Sequence, residues 1–254
     1  MRRTCWLLPE GYTCRYVMND MNADPLAIIS GGTGYLGTTI VAELKEAGWS
    51  VVSLSKNTSE SSAEVYTCDV TDEKDVQAVI AKIVAAHGPI SACIHAASPS
   101  LERLPVLSIS AESFDVTMHT NVRAAFLLAK ETVKHMPEGS AYIGVTTQAI
   151  EPGMLQPSGA YIPAKYALRG FLRVLSAETK QLGIRVFAVS PSFLPGGLND
   201  DLPQNVQDFL ANKSGTDKQS TREIATLIKK LCLHEGGFLS GSSIAFPSLA
   251  SSPL

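Results

Sequence analysis

An apolar run, Leu26-Ala27-Ile28-Ile29, ends in a glycine-rich turn, Ser30-Gly31-Gly32-Thr33-Gly34-Tyr35-Leu36-Gly37, and a helical pattern starts at once. A run that is apolar at every position belongs to a strand covered on both faces, the usual condition of a parallel sheet. Residues 36–47 then place Leu36, Ile40, Val41 and Leu44 on one helical face, and Gly48 closes the helix. Strand, turn and helix in that order make the repeating unit of doubly wound sheets. Glycines in the turn permit positive φ and close backbone approach, and the unpaired N–H groups at the helix start favour an anion such as a pyrophosphate. The unit is therefore predicted to be a dinucleotide-binding turn.

The alternation continues. Strands are predicted at 50–54, 65–68 and 92–96, with a helix over 73–87 that turns Val76, Val79, Ile80 and Ile83 inward and stops at Gly88-Pro89. A long helical stretch follows at 111–135, then a strand at 141–145, a helix over 159–182 and a strand at 184–189. A last helix is predicted over 221–234 and a closing strand over 238–246. The expected fold class is α/β, a doubly wound parallel sheet of Rossmann type in three layers, with one domain over 25–254. Residues 1–24 have no sustained period and are read as a flexible leader, with Met18 and Met21 as alternative starts. Residues 191–220 are rich in Pro, Gly, Asn and Asp, and are expected to form an irregular lid over the substrate.

Composition narrows the partners. Among 254 residues, 21 Lys and Arg stand against 24 Asp and Glu, so a basic footprint for nucleic acid is absent. The five cysteines are scattered and form no C-x-x-C pair, which argues against a disulfide framework and against a metal site. No apolar run reaches the roughly 18 residues of a membrane span, so a cytoplasmic protein is expected.

Tyr161 and Lys165 stand four apart in a predicted helix and so share a face. A neighbouring ammonium favours a phenolate, so this pair is expected to lower the phenol's pKa and exchange a proton with an alcohol or carbonyl. Pro163 lies between them; if Ser158 caps the helix, the proline ring is expected to remove a bond just beyond the first turn and to shift Tyr161. At the tip of the second strand, Ser55-Lys56-Asn57 offers no carboxylate to repel a 2′-phosphate, which favours NADP(H), with NAD(H) as the alternative.

From about residue 26 to 246 the chain resembles the short-chain dehydrogenase/reductase family. The Gly31, Gly34, Gly37 spacing is similar to that of the family's longer, epimerase-like branch, while the rest resembles the single-domain branch. The resemblance implies that Gly31, Thr33, Gly34, Tyr35, Leu36 and Gly37 cradle the cofactor, with Ser55 and Lys56 at its 2′-phosphate. It further implies Asp69 on the adenine amino group, Val70 against the ring, and Ala96, Ala97 and Ser98 as the floor. Asp72 is expected to cap a helix, and His95 to be a hydrogen-bonded structural residue. In the catalytic set the resemblance places Tyr161 as proton donor, Lys165 beside it and on the ribose, Asn121 holding a water that leads to Lys165, and Thr147 in the place of a serine. The spacing of Thr147 from Tyr161 is one residue longer than usual, which keeps Thr146 and Gln148 as alternatives. Pro191, Phe193 and Leu194 would meet the nicotinamide, although the family's Gly and Thr are missing there.

The expected activity is NADP(H)-dependent hydride transfer to or from a carbonyl or secondary alcohol of a medium-sized, partly apolar substrate. Met154, Leu155, Phe193, Leu194, Leu198 and Phe209 are candidates for the pocket walls. A non-catalytic NADP(H)-binding regulator and a sugar-nucleotide epimerase are the alternatives. Surplus apolar residues on the helices over 111–135 and 159–182, with the resemblance, imply a homodimer or homotetramer.

Overall fold

The computed structural model describes residues 24–57, 64–150, 158–217 and 219–247, together with the backbone of 251–253. Residues 1–23, Met154 and Leu155 lie outside the described residues.

Strand β1 (Leu26–Ser30) leads through the glycine turn into α1 (Tyr35–Glu46), and β2 (Ser50–Ser55) and β3 (Val65–Thr67) follow. Helix α2 (Glu73–His87) opens at Asp72, whose carboxylate accepts from the Asp75 amide as the sequence predicts, and β4 (Ile90–His95) returns to the sheet. Next come α3 (Ala111–Met118), α4 (Ala124–Thr132), β5 (Ala141–Val145), α5 (Tyr161–Thr179) and β6 (Arg185–Pro191). Helices α6 (Gln204–Ser214) and α7 (Ser220–Cys232) precede β7 (Ser242–Phe246) and β8 (Ser251–Pro253).

The sheet order is β3-β2-β1-β4-β5-β6-β7-β8, parallel throughout except for the last strand. The chain winds outward from β1 to β3, then crosses to β4 on the other side of β1. That reversal opens a crevice beyond the carboxyl ends of β1 and β4, where ligands bind in such sheets. Every residue of β1 is buried because its side chains serve two cores in alternation. Leu26 and Ile28 pack with Ile80, Leu127 and Leu172 on one face, and Ala27 and Ile29 pack with Ile40, Leu44 and Ile228 on the other. Each such Leu or Ile stabilises the fold by roughly 1.5–3 kcal/mol.

Three expectations need correction. The stretch over 111–135 is not one α-helix: a π-helical turn, His119–Arg123, separates α3 from α4 and carries the buried Asn121. Ala160, not Ser158, is the N-cap of α5, so Pro163 is the third helical residue. The Ile162 amide still donates to the Ser158 carbonyl at 3.3 Å and the Ala164 amide to the Ala160 carbonyl at 3.0 Å, so the proline ring leaves out the one bond between them, as expected, while Tyr161 keeps the first helical position. The segment over 191–220 is not irregular throughout, because it contains α6. Pro203 precedes this helix and Gly215, at φ 64°, ends it in the left-handed region.

Candidate active site

The glycine turn is shaped by its own crowding. Gly31 sits at φ +75°, and a Cβ there would come within 2.8 Å of the Ala97 backbone. A Cβ on Gly37 would land on the Gly31 carbonyl oxygen. The turn therefore stays narrow enough for α1 to start directly above the crevice, and no side chain caps its N-terminus. Beside it, Ser98 Oγ is buried with no partner among the described residues. These features fit a dinucleotide: a bare helix start for phosphates and a free hydroxyl beneath them.

One cavity of about 590 Å³ joins this cradle to the catalytic candidates. Gly31, Thr33, Gly34, Tyr35, Leu36, Gly37, Ala96, Ala97, Ser98, Thr147, Tyr161, Lys165, Pro191, Phe193 and Leu194 all line it. Ser55, Lys56, Asp69, Val70 and Asn121 do not.

Tyr161 stands at the first position of α5 and Lys165 one turn later, with the Lys165 Nζ 5.4 Å from the centre of the Tyr161 ring. The Lys165 ammonium donates to the Val145 carbonyl at 2.9 Å, and burial pulls its pKa down to about 7. Burial pushes Tyr161 up to about 12, against a hydrogen bond with Thr147 and the positive charge of Arg103. The phenol depressed by lysine that the residue spacing suggests is thus overridden by desolvation.

The hydroxyl beside Tyr161 belongs to Thr147. Thr146 turns toward Ser190, their oxygens 2.6 Å apart, and the Gln148 amide donates to the Phe246 carbonyl. The longer spacing is absorbed by the turn after β5, where Thr147 Oγ1 accepts from the Ala149 amide at 3.2 Å.

Asn121 lies behind this group. Its amide donates to the Thr117 carbonyl at 2.9 Å, while its side-chain oxygen is buried and has no partner among the described residues. Its main-chain carbonyl accepts from His95 Nε2 at 3.1 Å, which leaves His95 Nδ1 to accept from the Ser30 hydroxyl at 2.7 Å. Burial first, and then the charge on Lys165, hold His95 down at about 3, so the ring is neutral. This chain of bonds ties the ends of β1 and β4 to the π-turn, the structural role expected of His95.

At the tip of β2, two expected ligands meet each other instead. Lys56 Nζ pairs with Asp69 Oδ2 at 2.7 Å, and Asp69 Oδ1 also accepts from the Thr71 amide and hydroxyl. Although burial pushes the Asp69 carboxyl up, these partners hold it at about 2. Thr33 donates to Ser55 Oγ at 3.3 Å beside them. Near the nicotinamide end, the carbonyls of Phe193 and Leu194 accept from Thr216 at 2.5 Å and from Asn199 at 2.7 Å.

Sequence reasoning missed Arg103 and Lys213, which also line the cavity. Neither sits in a recognisable motif, and only the return of the segments after β4 and β6 brings them in. Of the pocket walls proposed from sequence, Phe193, Leu194 and Leu198 line the cavity, whereas Phe209 does not and is exposed.

Residues 36–246 match the family model described as enoyl-(acyl carrier protein) reductase. Among curated proteins, the chain is 29% identical over 205 residues to 2,5-dichloro-2,5-cyclohexadiene-1,4-diol dehydrogenase of Sphingobium indicum, covering 75% of this chain and 79% of that one. It is 27% identical over 240 residues to secoisolariciresinol dehydrogenase of Forsythia intermedia, covering 86% of each. Among solved structures, a dehydrogenase/reductase from Sinorhizobium meliloti superimposes with a TM-score of 0.78 at 22% identity, covering 88% of this chain and 93% of that one. A metagenomic blue fluorescent protein in complex with NADPH superimposes at 0.76 with 20% identity, covering 88% and 96%. With the doubly wound sheet, the glycine cradle and the Tyr161 and Lys165 pair, these matches make the chain a short-chain dehydrogenase/reductase.

Proposed function

We propose that this enzyme reduces a carbonyl, or oxidises the matching secondary alcohol, on a medium-sized and partly apolar substrate with NADP(H). The observation that carries the reading is the single cavity shared by the glycine cradle, Thr147, Tyr161 and Lys165. The dinucleotide would lie on Gly31, Gly34 and Gly37 with Ser98 beneath it, and would supply or accept a hydride at C4 of its nicotinamide.

The chain's own groups handle the oxygen. Thr147 orients the carbonyl, and Tyr161, protonated at neutral pH, donates its proton to the carbonyl oxygen. Lys165 stabilises the phenolate left behind. Asn121, through its free side-chain oxygen, holds a water that returns the proton through Lys165. Because the carbonyls of Phe193 and Leu194 are engaged, the backbone at those positions would meet the nicotinamide through its N–H groups.

NADP(H) is favoured because the tip of β2 presents Lys56 and no carboxylate of its own, although Asp69 offsets part of that charge. Steady-state oxidation of NADPH and NADH against a carbonyl panel tests both parts of the reading. Lys56→Ala should weaken NADPH by about two- to fivefold and leave NADH nearly unchanged. Tyr161→Phe should cost at least about 100-fold in turnover with dinucleotide binding retained. A preference for NADH, unaffected by the Lys56 substitution, would make NAD(H) the cofactor.

A further inference from the structure

The mechanism above makes no use of Arg103, yet this residue is built into the reaction cavity. Its Nη2 is fixed by the Leu198 carbonyl at 3.1 Å, by Asn199 Oδ1 at 2.7 Å and by Asp201 Oδ1 at 3.1 Å. Its Nε is buried and has no partner among the described residues. A guanidinium with one edge clamped and another donor open is prepared for an acceptor that the described residues do not supply. The charges around it point the same way. Lys165 and Lys213 line the cavity with Arg103, and no carboxylate does among the described residues. Glu102, next in the chain, is turned to the Ser113 hydroxyl, and Asp201 meets Nη2 rather than Nε.

This group and the dinucleotide cradle hold the same segment by different contacts. The segment after β6 is anchored at two places. Tyr35 donates to the Pro195 carbonyl at 2.7 Å and packs under Gly196 and Gly197, on the side of the glycine turn. Arg103 holds Leu198 and Asn199, and its charge is felt at the Tyr161 hydroxyl, where the substrate oxygen would lie.

We propose that the substrate carries a carboxylate, received by the open Nε–H of Arg103 while its carbonyl or alcohol lies at Tyr161 and Thr147. The inference rests on the hydride-transfer reading of the same site and narrows it to oxo acids and hydroxy acids. Leu101, Ile162 and Leu210 line the same cavity, and a partly apolar lining strengthens a charge-assisted hydrogen bond made within it.

The test uses the full chain saturated with NADPH, and compares benzoylformate and levulinate with their methyl esters. The wild type should prefer each acid by roughly 10- to 100-fold in kcat/KM, the span expected of one buried charge-assisted hydrogen bond. Arg103→Met should remove that preference through KM while NADPH affinity, read by fluorescence titration, is retained. An acid-to-ester ratio near one in the wild type overturns the proposal, and this result needs no variant to fold. A loss of NADPH affinity in step with the acid preference also overturns it, because Arg103 would then serve the dinucleotide.

If neither acids nor esters are turned over, calorimetric titration of the same four compounds decides. Acid-selective binding that Arg103→Met abolishes upholds the carboxylate site and removes the hydride-transfer reading. Equal binding of acid and ester overturns the carboxylate site.

Discussion

A phenol at about 12 beside an ammonium at about 7 divides the proton chemistry of this site unequally. Tyr161 is protonated across the whole working range, so it is poised as a donor, the role that carbonyl reduction requires. Lys165 titrates within that range, and its positive charge supports the phenolate that proton donation creates. Raising the pH through about 7 removes this charge. Reductive turnover at saturating substrate should therefore fall as the pH rises past neutrality, with the Tyr161 ionisation too high to contribute. A stopped-flow pH profile checks this, and a profile flat from pH ~6 to ~9 would assign Lys165 a purely positioning role. The residue pair itself was legible from its four-residue spacing. The sizes and even the direction of the phenol shift were not, because burial is set by segments distant in sequence.

At the scale of elements, the strand and helix alternation could be read along the chain because both sides of the sheet are covered. Strand β5 and helix α2 have the predicted bounds, Ala141–Val145 and Glu73–His87. Helix α6 escaped notice because its polar residues dilute the periodic apolar ones; Pro203 before it and Gly215 after it were the signals available. The π-turn at Asn121 was anticipated only as a disturbance implied by resemblance, since no local composition marks it. A further tie between elements lies in Glu43 on α1, buried against α7, where it accepts from Lys229 at 2.5 Å and from Arg222 at 2.9 Å. The Lys229 bond holds its carboxyl below the ordinary range, burial works against this, and the Arg222 bond adds to the lowering. Its contribution is complete above the unfolded carboxylate's pKa and is lost as the pH falls through the lower folded value. Glu43→Gln should cost about 1–2 kcal/mol at neutral pH, less than breaking a fully buried pair, because Arg222 is largely exposed and screened by water. Urea unfolding at neutral and acidic pH would show the cost shrinking in acid.

At the scale of the molecule, the sheet reversal places the dinucleotide cradle and the proton donor around one cavity, which neither motif could do alone. The same architecture leaves Phe126, Tyr166 and Val174 exposed on α4 and α5, while Leu127, Leu128 and Leu172 face the core. We expect a homodimer or homotetramer through that exposed face, and light scattering after size exclusion should report a multiple of 27.1 kDa. A monomer at micromolar concentration would assign these residues another use. The claim on which the account depends is that the shared cavity carries out hydride transfer with Tyr161 as the proton donor. Its most direct test follows deuterium from NADPH dideuterated at C4 of the nicotinamide, so that either face delivers label, into the products of a carbonyl panel. The wild type should deliver one deuterium to the new carbinol carbon, and Tyr161→Phe should bind the coenzyme yet deliver almost none. Tight coenzyme binding by the wild type with no label in any product, or equal labelling by the phenylalanine variant, would contradict the account.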